Sequence, residues 1–290
     1  MDKLTDQFDV EDVYYQNGNN VQLLARLYKP WIDSSRESAP IPAVVSVHGG
    51  RWCEESRLTN EVIDRQLASN GVFVMAIDFR MPPQVKFPHP VSDINYAIRW
   101  LKKNATDLGL DVNKIGGIGT SSGGHQLLLN ALRPMDDLFA SIPLDGHDGL
   151  DASLAFMIAC WPVSDPFVRY RYALEKKMSL HVECHHAYWK DEAEMRQGSP
   201  QRILDEKEMT HLPPLLLIQG TADTVLSPGM TKNFASSYEA AGGKLILCEF
   251  MGQPHTFITK FPLHEESVRA RNVISVFASA CGNVSTQLVM

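Results

Sequence analysis

The run Ile115-Gly116-Gly117-Ile118-Gly119 leads without a linker into Thr120-Ser121-Ser122-Gly123-Gly124-His125 and then Gln126-Leu127-Leu128-Leu129. An apolar run, a Gly-x-Ser-x-Gly turn and a leucine-rich stretch in direct succession predict a strand, a sharp turn and a helix. The serine then sits at the tip of the turn, in a strained backbone conformation that Gly119, Gly123 and Gly124 permit. A bare Gly-x-Ser-x-Gly arises by chance in about one chain in ten of this length, so the strand before it and the helix after it carry the reading.

The flanking chain repeats that alternation. Residues 12–15 and 21–28 are rich in β-formers and flank Asn17-Gly18-Asn19, which predicts an N-terminal hairpin. A Pro- and Ser-containing linker over 30–42 precedes Ala43-Val44-Val45-Ser46-Val47, a short apolar strand of the buried parallel type, which runs into His48-Gly49-Gly50-Arg51-Trp52. Helical patterns over 59–69 and 91–103 alternate with strands over 71–78 and at the serine turn. Beyond the leucine-rich helix come a surface loop over 133–154 and a strand over 154–161 that Pro162 stops. Strands over 214–219 and 244–250 and helices over 230–241 and 264–280 complete the order. The expected fold is α/β: one domain over 1–290, with a mostly parallel central sheet, helices on both faces and a ligand site at the carboxyl ends of the strands. About fifty residues separate the strand at 154–161 from that at 214–219, far more than an ordinary connection, and 164–212 is taken as an inserted lid.

Bulk composition removes whole classes of function. The 290 residues are 44% hydrophobic, enough for one large core. With 27 basic against 34 acidic residues the net charge is −7, and no Lys/Arg block offers a footprint for nucleic acid. The N-terminus is polar and acidic, and no stretch approaches a transmembrane span, so no membrane partner is expected. Five cysteines, odd in number and without Cys-x-x-Cys spacing, suit a reducing compartment; the expected location is the cytoplasm.

A serine hydroxyl is a poor nucleophile near neutral pH, so acyl transfer needs a histidine to take its proton and a carboxylate to hold that histidine's tautomer. Asp223 follows one buried strand and His255 the next, giving with Ser121 the chain order Ser, Asp, His. A tetrahedral oxyanion also needs backbone donors; the candidates are the N–H groups of Ser122, Gly50 and Arg51. Gly49 and Gly50 let that loop approach a substrate closely. His48 precedes the glycines and is read as a structural residue of the loop. The Arg51 side chain is expected to fold outward toward Glu54 and Glu55, because a long charged side chain is usually exposed.

With His48-Gly49-Gly50-Arg51-Trp52, the Ser121 turn, Asp223 and His255 in place, the chain resembles the α/β-hydrolase superfamily. It is most similar to the esterase/lipase branch of hormone-sensitive-lipase-like esterases, feruloyl-esterase-like proteins and kynurenine formamidases. The resemblance runs from Val13 to Ala280 and implies nucleophile Ser121, acid Asp223, base His255 and an oxyanion hole from Gly50, Arg51 and Ser122. Lipase-like esterases usually have a third glycine at the position of Arg51; the His-Gly-Gly-x-Trp form is similar to the formamidases and feruloyl-esterase-like proteins.

The insertion holds Tyr170, Tyr172, His181, His185, His186, Tyr188 and Trp189. These could wall an acyl or aryl pocket, and Trp52, Tyr188 and Trp189 are the expected substrate contacts; the alternative is a lid packing its own aromatics. His181, Cys184 and His185 lack the His-Glu-x-x-His order, and no metal or other cofactor is expected. Asp78, Arg80 and Asp93 are expected to form ion pairs beside the sheet. The expectation is a serine hydrolase cleaving small-molecule carboxylic esters of small or medium acyl groups, with a homodimer as a compatible assembly. An arylformamidase or related amidase, and a non-catalytic ligand-binding protein on the same fold, are the alternatives.

Overall fold

The computed structural model describes residues 7–18, 21–31, 41–147 and 149–283. The tip of the expected hairpin at Asn19 and most of the linker over 30–42 lie outside them. In chain order the elements are β1 (Phe8–Gly18), β2 (Val21–Pro30), β3 (Ile41–Val47), α1 (Glu61–Ser69), β4 (Phe73–Ile77), α2 (His89–Lys103), β5 (Leu110–Thr120), α3 (Ser121–Leu132) and β6 (Met157–Cys160). There follow α4 (Pro166–Glu175), α5 (Ser179–Tyr188), α6 (Glu192–Gln197), α7 (Pro200–Asp205), β7 (Leu215–Gly220), α8 (Met230–Ala240), β8 (Leu245–Phe250), α9 (Phe257–Lys260) and α10 (Glu265–Asn283).

The eight strands form one sheet in the order β1-β2-β4-β3-β5-β6-β7-β8. The hairpin β1/β2 joins it antiparallel through β2 and β4, and every pair from β4 across to β8 is parallel. Ala43 to Val47 are all buried, as a strand covered on both faces requires, whereas the last strand, β8, keeps half-exposed and exposed positions. One group of helices, α1, α9 and α10, packs together; α2, α3, α7 and α8 pack in series. All twelve residues of α3 are buried, which its leucines tolerate and a helix with one polar face would not.

Between β6 and β7, 164–212 folds into α4 to α7, and three of these four short helices begin at a side-chain acceptor. Asp165 accepts from the Val168 N–H at 3.0 Å, Asp191 from Glu194 at 2.9 Å and Ser199 from Arg202 at 3.3 Å. Pro166 and Pro200 occupy the first helical position of two of them. Each such cap contributes about 1 kcal/mol, a large share for helices this short.

Candidate active site

The three residues singled out for chemistry stand beyond the carboxyl ends of three parallel strands, β5, β7 and β8. Ser121 opens α3 directly after β5, with φ 51° in the left-handed region. That conformation costs a non-glycine residue about 1–2 kcal/mol and turns the hydroxyl away from the sheet. Gly123 makes the turn possible: a Cβ there would lie 2.1 Å from the His48 carbonyl oxygen.

His255, in the loop after β8, lies with Nε2 3.0 Å from Ser121 Oγ and Nδ1 2.7 Å from Asp223 Oδ2. With the Nδ1 proton facing the carboxylate, the Nε2 lone pair faces the serine hydroxyl. Asp223 is held by more than the histidine. Its Oδ1 accepts from the Val225 and Leu226 N–H groups at 2.8 and 3.2 Å, and its Oδ2 from Gln219 Nε2 at 3.0 Å. Gln219 is itself oriented by Thr231, whose hydroxyl donates to its Oε1 at 2.8 Å. Burial pushes the Asp223 carboxyl up, but the bond and charge of His255, with the Gln219 and Val225 donors, outweigh it and leave the group below the usual carboxylate range. Glu249, the other carboxylate near the end of that sheet edge, pairs instead with Lys232 at 3.1 Å.

A cleft of about 480 Å³ opens over Ser121 and His255, walled by Gly50, Arg51, Trp161 and His181. Gly50, at φ 95°, turns the chain back so that the N–H groups of Cys53 and Glu54 bond its carbonyl at 2.9 and 3.0 Å. Among the described residues the N–H groups of Gly50 and Arg51 have no acceptor, and the first N–H groups of a helix, Ser122's included, have none within it. The Ser122 hydroxyl is committed elsewhere: it accepts the Trp52 N–H at 3.0 Å and ties the turn after β3 to α3. The Arg51 guanidinium pairs with Glu54, one of the two carboxylates expected of it.

The expected substrate contacts need correction. Trp52 and Tyr188 are fully buried and Trp189 is 1% exposed, so none of them walls the cleft. Trp52 stacks on Tyr188 with centroids 5.3 Å apart and meets His125, His185 and Trp189 edge-on. Its Nε1 donates to His125 Nδ1 at 3.0 Å, and the Tyr188 hydroxyl donates to Gln126 at 3.1 Å. The physical reason is area: fully burying a large apolar side chain gains about 1.5–3 kcal/mol, and these aromatics find polar partners as well. From the inserted helices it is His181 that reaches the cleft.

His185 is likewise committed, buried with Nδ1 3.1 Å from Arg169 Nη1. Burial first, then the Arg169 charge, pushes it down to about 3. His48 stacks on Phe79 at 4.4 Å, and its Nδ1 lies 2.9 Å from the Gly49 carbonyl. Arg80 pairs with the buried Asp93 at 2.6 Å, while Asp78 takes Arg57 at 2.7 Å. Sequence reasoning missed Gln219 and Trp161. The signal was available in their positions, because both stand at the carboxyl ends of parallel strands.

The BD-FAE family model matches residues 31–238. The chain belongs to the BD-FAE family. That match covers the Ser121 turn and Asp223 but stops before His255, whose place comes from the structure. Esterase LipC of Mycobacterium tuberculosis is 26% identical over 249 residues, 80% of this chain and 57% of its own length. An arylesterase of Saccharolobus solfataricus is 27% identical over 220 residues, 74% of this chain and 68% of its own. The chain thus spans little more than half of the first relative. The thermophilic esterase Est2 of Thermogutta terrifontis, bound to propionate, superposes with TM-score 0.75 over 97% of both chains at 24% identity. The fold of this BD-FAE chain is the α/β-hydrolase fold. Among the described residues no helix is long and apolar enough to cross a membrane.

Proposed function

We propose that the chain is a serine hydrolase that cleaves small-molecule carboxylic esters of small or medium acyl groups through an acyl-enzyme. One observation carries the reading: Ser121 Oγ, His255 and Asp223 form a continuous hydrogen-bonded line of 3.0 and 2.7 Å that opens on a cleft. Ser121 attacks the ester carbonyl while His255 Nε2 takes its proton, and Asp223 holds the Nδ1 proton and stabilises the imidazolium. The N–H groups of Ser122, Gly50 and Arg51 receive the oxyanion. His255 returns its proton to the departing alcohol, and water then repeats the sequence on the acyl-serine. The esterase names of the relatives, and the propionate held by the structural neighbour, support an ester of a small acid. The reading treats 1–290 as one α/β-hydrolase domain with 164–212 as its lid. The unpaired state of all five cysteines supports a reducing compartment such as the cytoplasm.

The test is Ser121→Ala against a panel of acyl esters and N-formyl aryl amines. Turnover should fall by about 10⁴-fold or more with the melting temperature held, and a serine-directed phosphonate should label the wild type once per chain and the variant not at all. Near-wild-type turnover by the variant would reject the mechanism. A preference for the formyl amine would move the reading to the amidase branch.

A further inference from the structure

The turn after β3 and helix α5 are brought together at two thiols that the ester chemistry does not use. Cys53 stands in the turn that follows Gly50 and Arg51, and Cys184 lies on α5, 131 residues further along the chain. Cys53 Sγ is 3.6 Å from the Cys184 carbonyl oxygen, which sets the two cysteines side by side. The Arg51 guanidinium, besides pairing with Glu54, carries its charge close to the Cys184 thiol. Cys53 is partly exposed while Cys184 is buried. We infer that Cys53 and Cys184 form an oxidation site: a peroxide converts the pair to an intramolecular disulfide that joins the turn after β3 to α5.

The electrostatics assign the two sulfurs different parts. The contact with Cys53 lowers Cys184, burial opposes it, and the Arg51 charge lowers it further, to about 7. The same neighbour contact, with burial, pushes Cys53 up. The thiolate is the nucleophile in this chemistry, and the Arg51 charge favours that form at Cys184. Cys184 attacks one peroxide oxygen, the O–O bond breaks, and hydroxide leaves and takes a proton as water, with Cys184 now a sulfenic acid. The Cys53 sulfur then gives up its proton and attacks the Cys184 sulfur; the S–O bond breaks and a second water leaves. Two thiols are oxidised by two electrons and one peroxide is reduced to two waters. The site stands whether or not the chain cleaves esters, because the chemistry uses neither Ser121 nor His255.

The experiment is peroxide titration of the purified full chain, followed by intact mass and tryptic mapping without reductant. Cleavage after Arg51 and Arg57 isolates the segment 52–57, and cleavage after Lys177 and Lys190 isolates 178–190, each with a single cysteine. The expected result is loss of two hydrogens' mass, a linked 52–57/178–190 peptide, and reversal by dithiothreitol. Because the bridge closes a long loop in the unfolded chain, the oxidised form should also melt at higher temperature than the reduced one. Cys53→Ala and, separately, Cys184→Ser should each abolish the linked peptide, and the wild-type map stands even if one variant misfolds. Gain of two oxygens at Cys184 without the linked peptide, a bridge mapping to Cys160, Cys248 or Cys281, or an unchanged two-hydrogen loss in Cys53→Ala would overturn the proposal.

Discussion

His255 and His125 both engage both ring nitrogens, yet their surroundings suit one to the base proposed above and the other to a structural part. His255 faces a carboxylate on Nδ1 and a hydroxyl on Nε2, with 11% of its side chain exposed at the cleft. The Asp223 carboxylate thus lies beside the ring on the side away from Ser121. His125 lies four residues after Ser121, fully buried, with the Trp52 Nε1–H donating to Nδ1 and its Nε2 2.7 Å from the Gly198 carbonyl. The indole N–H already occupies the lone pair of Nδ1, so the ring is the neutral Nε2–H tautomer and has no site for another proton. Burial pushes it down to about 4, the Gly198 bond only partly opposing this. The contrast teaches that what faces an imidazole, more than where it sits in the sequence, decides its chemistry.

The most severe way to break the contrast is Asp223→Asn. An amide cannot hold the Nδ1 proton or stabilise the imidazolium, so turnover at neutral pH should fall by roughly 10³–10⁴-fold while the fold survives. A nearly silent variant, measured on the preferred acyl ester, would mean that His255 is oriented by something other than this carboxylate.

His125→Leu probes the other half. It leaves the Trp52 N–H and the Gly198 carbonyl buried without partners, at a cost of about 2–4 kcal/mol in denaturant unfolding, while kcat of the folded protein stays within a few-fold of wild type. The pH dependence follows from the same environment. Because the folded pKa lies below the unfolded value of 6.5, the unfolded chain binds a proton that the folded chain refuses. The stabilisation from neutral His125 is full above about pH 6.5 and is lost as pH falls toward 4, so the variant should show a flatter acid limb than wild type. If His125→Leu instead abolished turnover with little loss of stability, the division between the two histidines would be wrong.

Arg51→Ala should have the smallest effect. The residue lines the cleft, and its guanidinium pairs with Glu54. A half-exposed ion pair contributes about 0–1 kcal/mol, and alanine keeps the N–H. The kcat/KM for matched neutral and anionic esters should change by less than several-fold and to the same extent. A selective loss for the anionic ester would show that the guanidinium reaches the substrate.

Much of this molecule was legible before any coordinates. The strand–turn–helix at Ser121, the alternation around it and the N-terminal hairpin follow from short-range patterns of apolar, glycine and turn residues, which act over a few positions. Asp223 and His255 could be named because the carboxyl ends of parallel strands converge on one side of the sheet. The fate of Trp52, Tyr188 and Trp189 could not be read that way. Aromatic content is the same whether a ring walls a cleft or fills a core, and only the docking of α5 against α3 placed these three in the core. The Gln219 bond to Asp223, the indole that holds His125 neutral, and the meeting of Cys53 with Cys184 were decided by tertiary structure alone. Apart from the first, these contacts join residues tens to more than a hundred positions apart, and in every case side-chain geometry, which no local pattern encodes, sets the partner.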